Sequence, residues 1–218
     1  MILVRPYWLF KYLRTGYDDL VPTAAGSRAE ASERVREAIV QAAVRIVARE
    51  GVAAVTHRRL AAEADVSLSS TTWHFATKTD ILEAALLWTA RREVARIGEI
   101  ADRLGSAELD PAAWAEELAD WLVEQVTGER DLVIALYRLQ IELAGSPQAR
   151  EVHREWGGEL RVLGERVLEH SSTLTPELDV RLISAALDGL RLTVLSAGET
   201  DTSWLRPAVH RQLRALLG

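Results

Sequence analysis

The segment Thr56–Lys78, THRRLAAEADVSLSSTTWHFATK, reads as two short helices joined by a tight turn and followed by the start of a third. The Thr56 hydroxyl can accept from the orphan N–H groups of the next turn, which makes it an N-cap. Leu60, Ala61 and Ala64 form a narrow apolar stripe at helical spacing. Asp65 falls where the chain must turn, and Asp enters the left-handed region at lower cost than most residues. Val66 is the apolar plug after the turn. Ser67 caps a second helix whose face carries Ser, Thr, Trp and His. Together they read as a helix-turn-helix: the first helix braces, and the second is small and polar enough to enter a major groove.

These positions resemble the TetR family of transcriptional regulators. The residues that carry the resemblance are Thr56, Leu60-Ala61, Asp65-Val66-Ser67, Thr72-Trp73-His74-Phe75 and Lys78. Asp65 stands where the family usually has Gly, Thr72 where it has Tyr, and Ser69 where Gly or Pro is common. The resemblance is specific over Val35 to Leu87. It implies an all-α chain: an N-terminal three-helix helix-turn-helix DNA-binding domain with a larger C-terminal helical ligand-binding and dimerisation domain. It also implies DNA roles. Thr56, Ser70, His74 and Lys78 are expected at phosphates. Arg58, Leu68, Ser69 and Thr72 are expected near base edges, with Ser67 as the cap of the reading helix. Trp73 either packs on the sugar-phosphate backbone or braces the helix.

Working outward, Ser27-Arg-Ala-Glu30 fits a capping box, so the folded chain is expected to begin at Ser27 or Ser32. Val35, Ile39, Ala43, Ile46 and Val47 make one apolar face, and Gly51 ends that helix. Residues 1–26 are aromatic and apolar but interrupted by Arg5, Pro6, Lys11 and Arg14. They lack a clear signal-peptide core and cleavage site, and are expected to be a poorly ordered or weakly packed extension. The DNA-binding domain then spans 27–80 and the effector and dimerisation domain 81–218. Downstream, helices are expected from Lys78 to about Ala101, Pro111 to Thr127, Asp131 to Ala144, Pro147 to His170, Pro176 to Ala197 and Ser203 to Leu217. Gly157-Gly158 suggests a kink or a close-packing point.

Hydrophobic residues make up 48% of the 218, enough to bury a core. The absence of cysteine excludes a disulfide framework, a thiol nucleophile and a Cys-based zinc site. No run of about 18 apolar residues suggests a membrane span. The net charge of −6 is unevenly spread: residues 1–80 hold 11 Lys/Arg against 9 Asp/Glu, and residues 81–218 hold 15 against 23. A basic end on an acidic body suits a protein that meets phosphate at one end only.

Candidate chemistry is sparse. There is no phosphate-cradling glycine loop and no nucleophile elbow. The five histidines are dispersed, so no metal site is expected. Glu116-Glu117 reads as a solvated helix face. No catalytic residue and no cofactor is expected.

Seven tryptophans form the other candidate constellation. As a set, Trp88, Trp121, Tyr137, Gln140 and Trp156 are expected to line a ligand cavity, with Tyr137 or Gln140 as polar anchor. Taken singly, each is more simply a core aromatic, and the family resemblance tips the set. Leu182, Ala186, Leu187, Leu190 and Val194, with Leu213 from the last helix, are expected to form a dimer interface, since a palindrome reader is two-fold symmetric. The expected protein is a cytoplasmic, ligand-responsive repressor that binds a palindromic operator duplex as a homodimer and is released by a small-molecule effector. It has no membrane partner. A helical protein–protein adaptor is the alternative, and an enzyme stands third.

Overall fold

The computed structural model describes residues 24–104, 111–168, 176–198 and 201–217. Among them the regular structure is helical: α1 Ala24–Glu50, a 3-10 turn Val52–Ala54, α2 His57–Ala64, α3 Leu68–His74, α4 Lys78–Leu104, α5 Pro111–Thr127, α6 Arg130–Glu142, α7 Pro147–Leu168, α8 Pro176–Ala197 and α9 Leu205–Leu217. The chain is therefore all-α. Helix α1 begins at Ala24, ahead of Ser27, so the expected capping box lies inside the helix and does not start it. The expectation for the extension falls outside the described residues over 1–23.

Two apolar clusters hold the fold. The first joins Ile39, Ala43, Ile46 and Val47 of α1 to Leu60 of α2, Phe75, and Ile81, Ala85 and Leu86 of α4. It also takes in Ala135, Leu136 and Leu139 of α6 and Ala149 and Val152 of α7. The core behind the reading helix is thus completed by residues far beyond position 80. Arg138 on α6 reinforces this junction: its Nη1 donates to Val47 O at 2.7 Å and Ala48 O at 2.8 Å. Those are carbonyls of the last turn of α1, where Val47 O also accepts from Gly51 N at 3.1 Å, so Arg138 adds a side-chain cap to that helix end.

The second cluster gathers Ile100 and Ala101 of α4, Trp114, Leu118, Trp121 and Leu122 of α5, Leu187 and Val194 of α8, and Leu205, Val209 and Leu213 of α9. Helix α7 is continuous through Gly157 and Gly158, where an added Cβ would meet nothing within 4 Å. The close-packing glycine is Gly164, where an added Cβ would run into Val180 Cγ2 on α8. Gly51, at φ 87°, ends α1 as expected, and Gly198, at φ 65°, follows the end of α8.

Candidate nucleic-acid interface and internal cavity

Helices α2 and α3 are set by short-range bonds. Thr56 Oγ1 accepts from Arg59 N at 3.2 Å, and Ser67 Oγ accepts from Ser70 N at 3.0 Å. Asp65 takes the turn at φ 54°, ψ 46°, and Val66 N donates to Ala61 O at 3.0 Å. Thr71 is fully buried; its hydroxyl donates to Leu68 O and lies 3.2 Å from His57 Nδ1, which locks α3 onto α2. Behind them, Glu63 on α2 accepts from Arg45 and Arg49 on α1 at 2.9 and 2.7 Å. Those two guanidinium groups hold the Glu63 carboxyl below its ordinary range, the Arg45 bond first.

The outward face of this unit carries the residues picked from the sequence. Thr56, Arg58, Ser67, Leu68, Ser69, Thr72, Trp73 and Lys78 are exposed, and Ser70 and His74 are half-buried. Trp73 is 74% exposed and meets the His74 ring edge-on at 4.6 Å. Burial, then the nearby Arg36, holds the His74 imidazole below its ordinary value. Lys78 Nζ donates to Ala53 O at 3.4 Å, so it also closes the 3-10 turn. This surface is polar, small and studded with hydroxyls, as groove entry requires.

A cavity of about 110 Å³ lies between α4, α5, α7, α8 and α9. On the same measure one water needs about 10–15 Å³. Ile97, Trp114, Leu118, Trp121, Trp156 and Leu160 contribute much of its apolar wall. Its polar edge is a buried ion pair: Arg191 Nη1 donates to Glu93 Oε1 at 2.6 Å, both side chains being about 95% enclosed. Burial pushes the Glu93 carboxyl up, partly countered by Arg191. Asp188 lies 3.5 Å from Arg191 Nη2 and accepts from Tyr137 Oη at 2.9 Å. Burial likewise raises the Tyr137 phenol. A wider, polar groove on the far side of Glu93 and Trp121 is lined by Arg92, Arg96, Glu124 and Glu129, which pair with one another across it.

Of the aromatic set, the structure brings Trp121 and Trp156 to the cavity. Tyr137 reaches it only through Asp188. Trp88 packs instead against the first cluster, and Gln140 is half-buried on α6, so neither is a wall residue. Sequence reading missed Glu93, Asp188 and Arg191. The signal available was Asp188 and Arg191, three apart, the two charges in the otherwise uncharged run from Leu182 to Leu195.

The residues proposed for a dimer interface divide. Leu187, Val194 and Leu213 belong to the second core cluster, and Leu187 and Leu213 also line the cavity; a partner subunit cannot reach them. Ala186 and Leu190 are half-buried, and Leu182 is exposed. The reason is that α8 is apolar on both sides. Its solvent face carries Leu178, Leu182 and Leu192, 43–52% exposed, with Ala185 and Gly189 also exposed between them.

A helix-turn-helix unit on a helical body with an apolar pocket between its helices defines a class of DNA-binding regulator. Residues 39–85 match the bacterial regulatory proteins of the tetR family, and residues 109–218 match the tetracyclin repressor-like C-terminal domain. The chain belongs to the TetR family and is a transcriptional regulator. It is 24% identical, over 162 residues, to the nicotine-responsive transcriptional repressor HdnoR of Paenarthrobacter nicotinovorans, covering 72% of this chain and 81% of that one. It is 34% identical to the multidrug binding protein EbrR complexed with ethidium, covering 82% of this chain and 98% of that one at a TM-score of 0.61. EbrR is also known in complex with proflavin and malachite green. A TetR-family member of Streptomyces coelicolor A3 is 31% identical, with 82% and 97% covered and a TM-score of 0.61.

Among the described residues no helix is long and apolar enough to cross a membrane.

Proposed function

We propose that this chain is a cytoplasmic repressor that binds a palindromic operator as a homodimer and leaves it when a small molecule enters the cavity beside Trp121 and Trp156. The exposed hydroxyl-rich face of α3, braced from behind by Thr71 and Glu63, carries the DNA reading. Thr56, Ser70, His74 and Lys78 meet phosphate; Arg58, Leu68, Ser69 and Thr72 approach base edges; Trp73 lies along the backbone. The likeness to EbrR and HdnoR supports a ligand-controlled regulator.

The solvent stripe Leu178, Leu182, Ala185, Gly189 and Leu192 on α8 faces a second copy. The spacing of 4, 3, 4 and 3 is that of a helix seam, and Gly189 lets backbones approach. In the dimer the two reading helices stand about one duplex turn apart, roughly 34–36 Å. Helix α4 joins the two clusters, since Ile81 to Leu86 lie in one and Ile100 and Ala101 in the other. Ligand seated against Ile97 therefore shifts α4 and with it the spacing. The effector acts only by binding the DNA-incompetent state better.

Sequencing of duplex fragments retained by the pure protein supplies the operator. Affinity for it should fall steeply with salt. A protein that binds all duplexes equally, or none, overturns the reading.

A further inference from the structure

The cavity of about 110 Å³ is small for a ligand. A single benzene ring is held by a cavity of roughly 150 Å³, and sites for drug-sized molecules run from roughly 300 to 1,000 Å³. A larger ligand therefore needs a wall that yields. Glu93 and Trp121 line both the cavity and the polar groove of about 400 Å³ beyond them, so these two side chains are the partition between two spaces. Moving a wall backed by packed core displaces further side chains. Moving the partition opens onto room that already exists.

Its two residues are held differently. Glu93 is tied to Arg191 by a 2.6 Å hydrogen bond. Trp121 is buried, yet its indole N–H has no hydrogen-bond partner, although buried indoles usually find one. Packing and the Arg191 guanidinium, 5.0 Å from the ring centroid, hold it in place. Trp121 is the half of the partition free to swing.

Charge differs on the two sides. The cavity wall is apolar and aromatic. In the groove Arg92 pairs with Glu129, and Arg96 with both Glu99 and Glu124. Besides Glu93, the groove lining thus holds three carboxylates against two guanidinium groups. The surplus favours a cation there.

We propose that cavity and groove are the two ends of one ligand site, divided by Trp121 in this structure, and that its ligand is an arylalkylamine. The ring lies in the cavity against Trp114 and Trp156, and the ammonium lies in the groove among Glu99, Glu124 and Glu129. This rests on reading the cavity as the effector site.

The probes are phenylbutylamine, its neutral analogue phenylbutanol, and xenon, each added to the full chain at neutral pH and followed by magnetic resonance. Xenon is small enough to report the cavity alone. The amine should displace xenon, which places its ring in the cavity. It should bind more tightly than the alcohol by about two- to fivefold, the range for one exposed charge pair. Glu124→Gln should remove that advantage, and Glu99→Gln reads the same surplus. The Trp121 indole N–H, assigned by its loss in Trp121→Phe, should exchange faster with water when the amine is bound and stay protected under xenon. The joined site is overturned if xenon or the amine fails to bind, or if both bind without competing. It is equally overturned if the alcohol matches the amine, if the advantage survives in both variants, or if the Trp121 N–H stays protected. If the site behaves as expected but the amine leaves operator affinity unchanged, the joined site stands and the effector role fails. If the amine releases operator yet keeps its advantage in both variants, the effector cavity stands and the groove has no part in it.

Discussion

Lys78 opens α4 at the edge of the reading surface, where its ammonium also touches Ala53 O. A point charge at phosphate carries no sequence information. Lys78→Ala should weaken binding about equally on all duplexes and lower the salt slope by about one unit. Arg58, exposed on α2, should behave differently: Arg58→Ala relaxes base preference as well. Competition binding against scrambled duplex separates the two, and unchanged operator affinity in both removes this face from DNA reading. Glu63 acts from behind the surface. Its carboxyl is held below its ordinary range by Arg45 and Arg49. Folding therefore gains from the ionised form above the unfolded carboxylate pKa of about 4.3, and that gain is lost as pH falls through the lowered folded value. Glu63→Gln should lower the melting temperature at neutral pH. The gap from the parent should close in strong acid, and a gap that persists there removes the ion pair as its cause.

At the scale of the element, α8 has two apolar faces with different tasks. Leu187→Glu places a charge in the core and cavity wall, and should cost more than about 4 kcal/mol. Leu192→Glu lies on the exposed stripe, so the fold should survive while the dimer is lost. Sedimentation together with circular dichroism reads both, and a folded dimer in Leu192→Glu places the interface elsewhere. Gly164 fixes how closely α7 approaches α8. Gly164→Ala forces Val180 aside and should cost about 1–3 kcal/mol, most of it recovered by adding Val180→Ala. Thermal melts of the single and double variants measure the recovery. The same contrast explains what the sequence made legible. The α2–turn–α3 unit is written in local signals: the Thr56 and Ser67 caps, the left-handed Asp65 and the plug at Val66. The α8 faces are not, because a helix with two apolar faces carries no mark of which one meets the core. The cavity is assembled from side chains more than ninety positions apart, such as Glu93 and Arg191, whose meeting no spacing rule foretells. Residue type alone singled out Trp121 and Trp156, and it equally singled out Trp88, which packs elsewhere.

Across the whole molecule the two ends answer to each other. Ligand and operator should oppose each other by one factor measured either way. Comparing ligand affinity with and without duplex gives that factor, and operator release by ligand must reproduce it. The cluster behind the reading helix draws on Ala135, Leu136, Leu139, Ala149 and Val152. A fragment ending at residue 104 should therefore lack a fixed core and exchange its amides rapidly. Slow exchange in that fragment would show the N-terminal helices to be self-sufficient. The Arg138 bonds to Val47 O and Ala48 O extend this point beyond stability. A designer or a recombination event that transplants the reading head onto a foreign body must bring a guanidinium to that helix end, along with the apolar surface around it. The seam for making chimeras thus follows the face of α6 rather than any single position in the chain, and a sensor exchanged by cutting at the start of α4 would leave its new head without its lock.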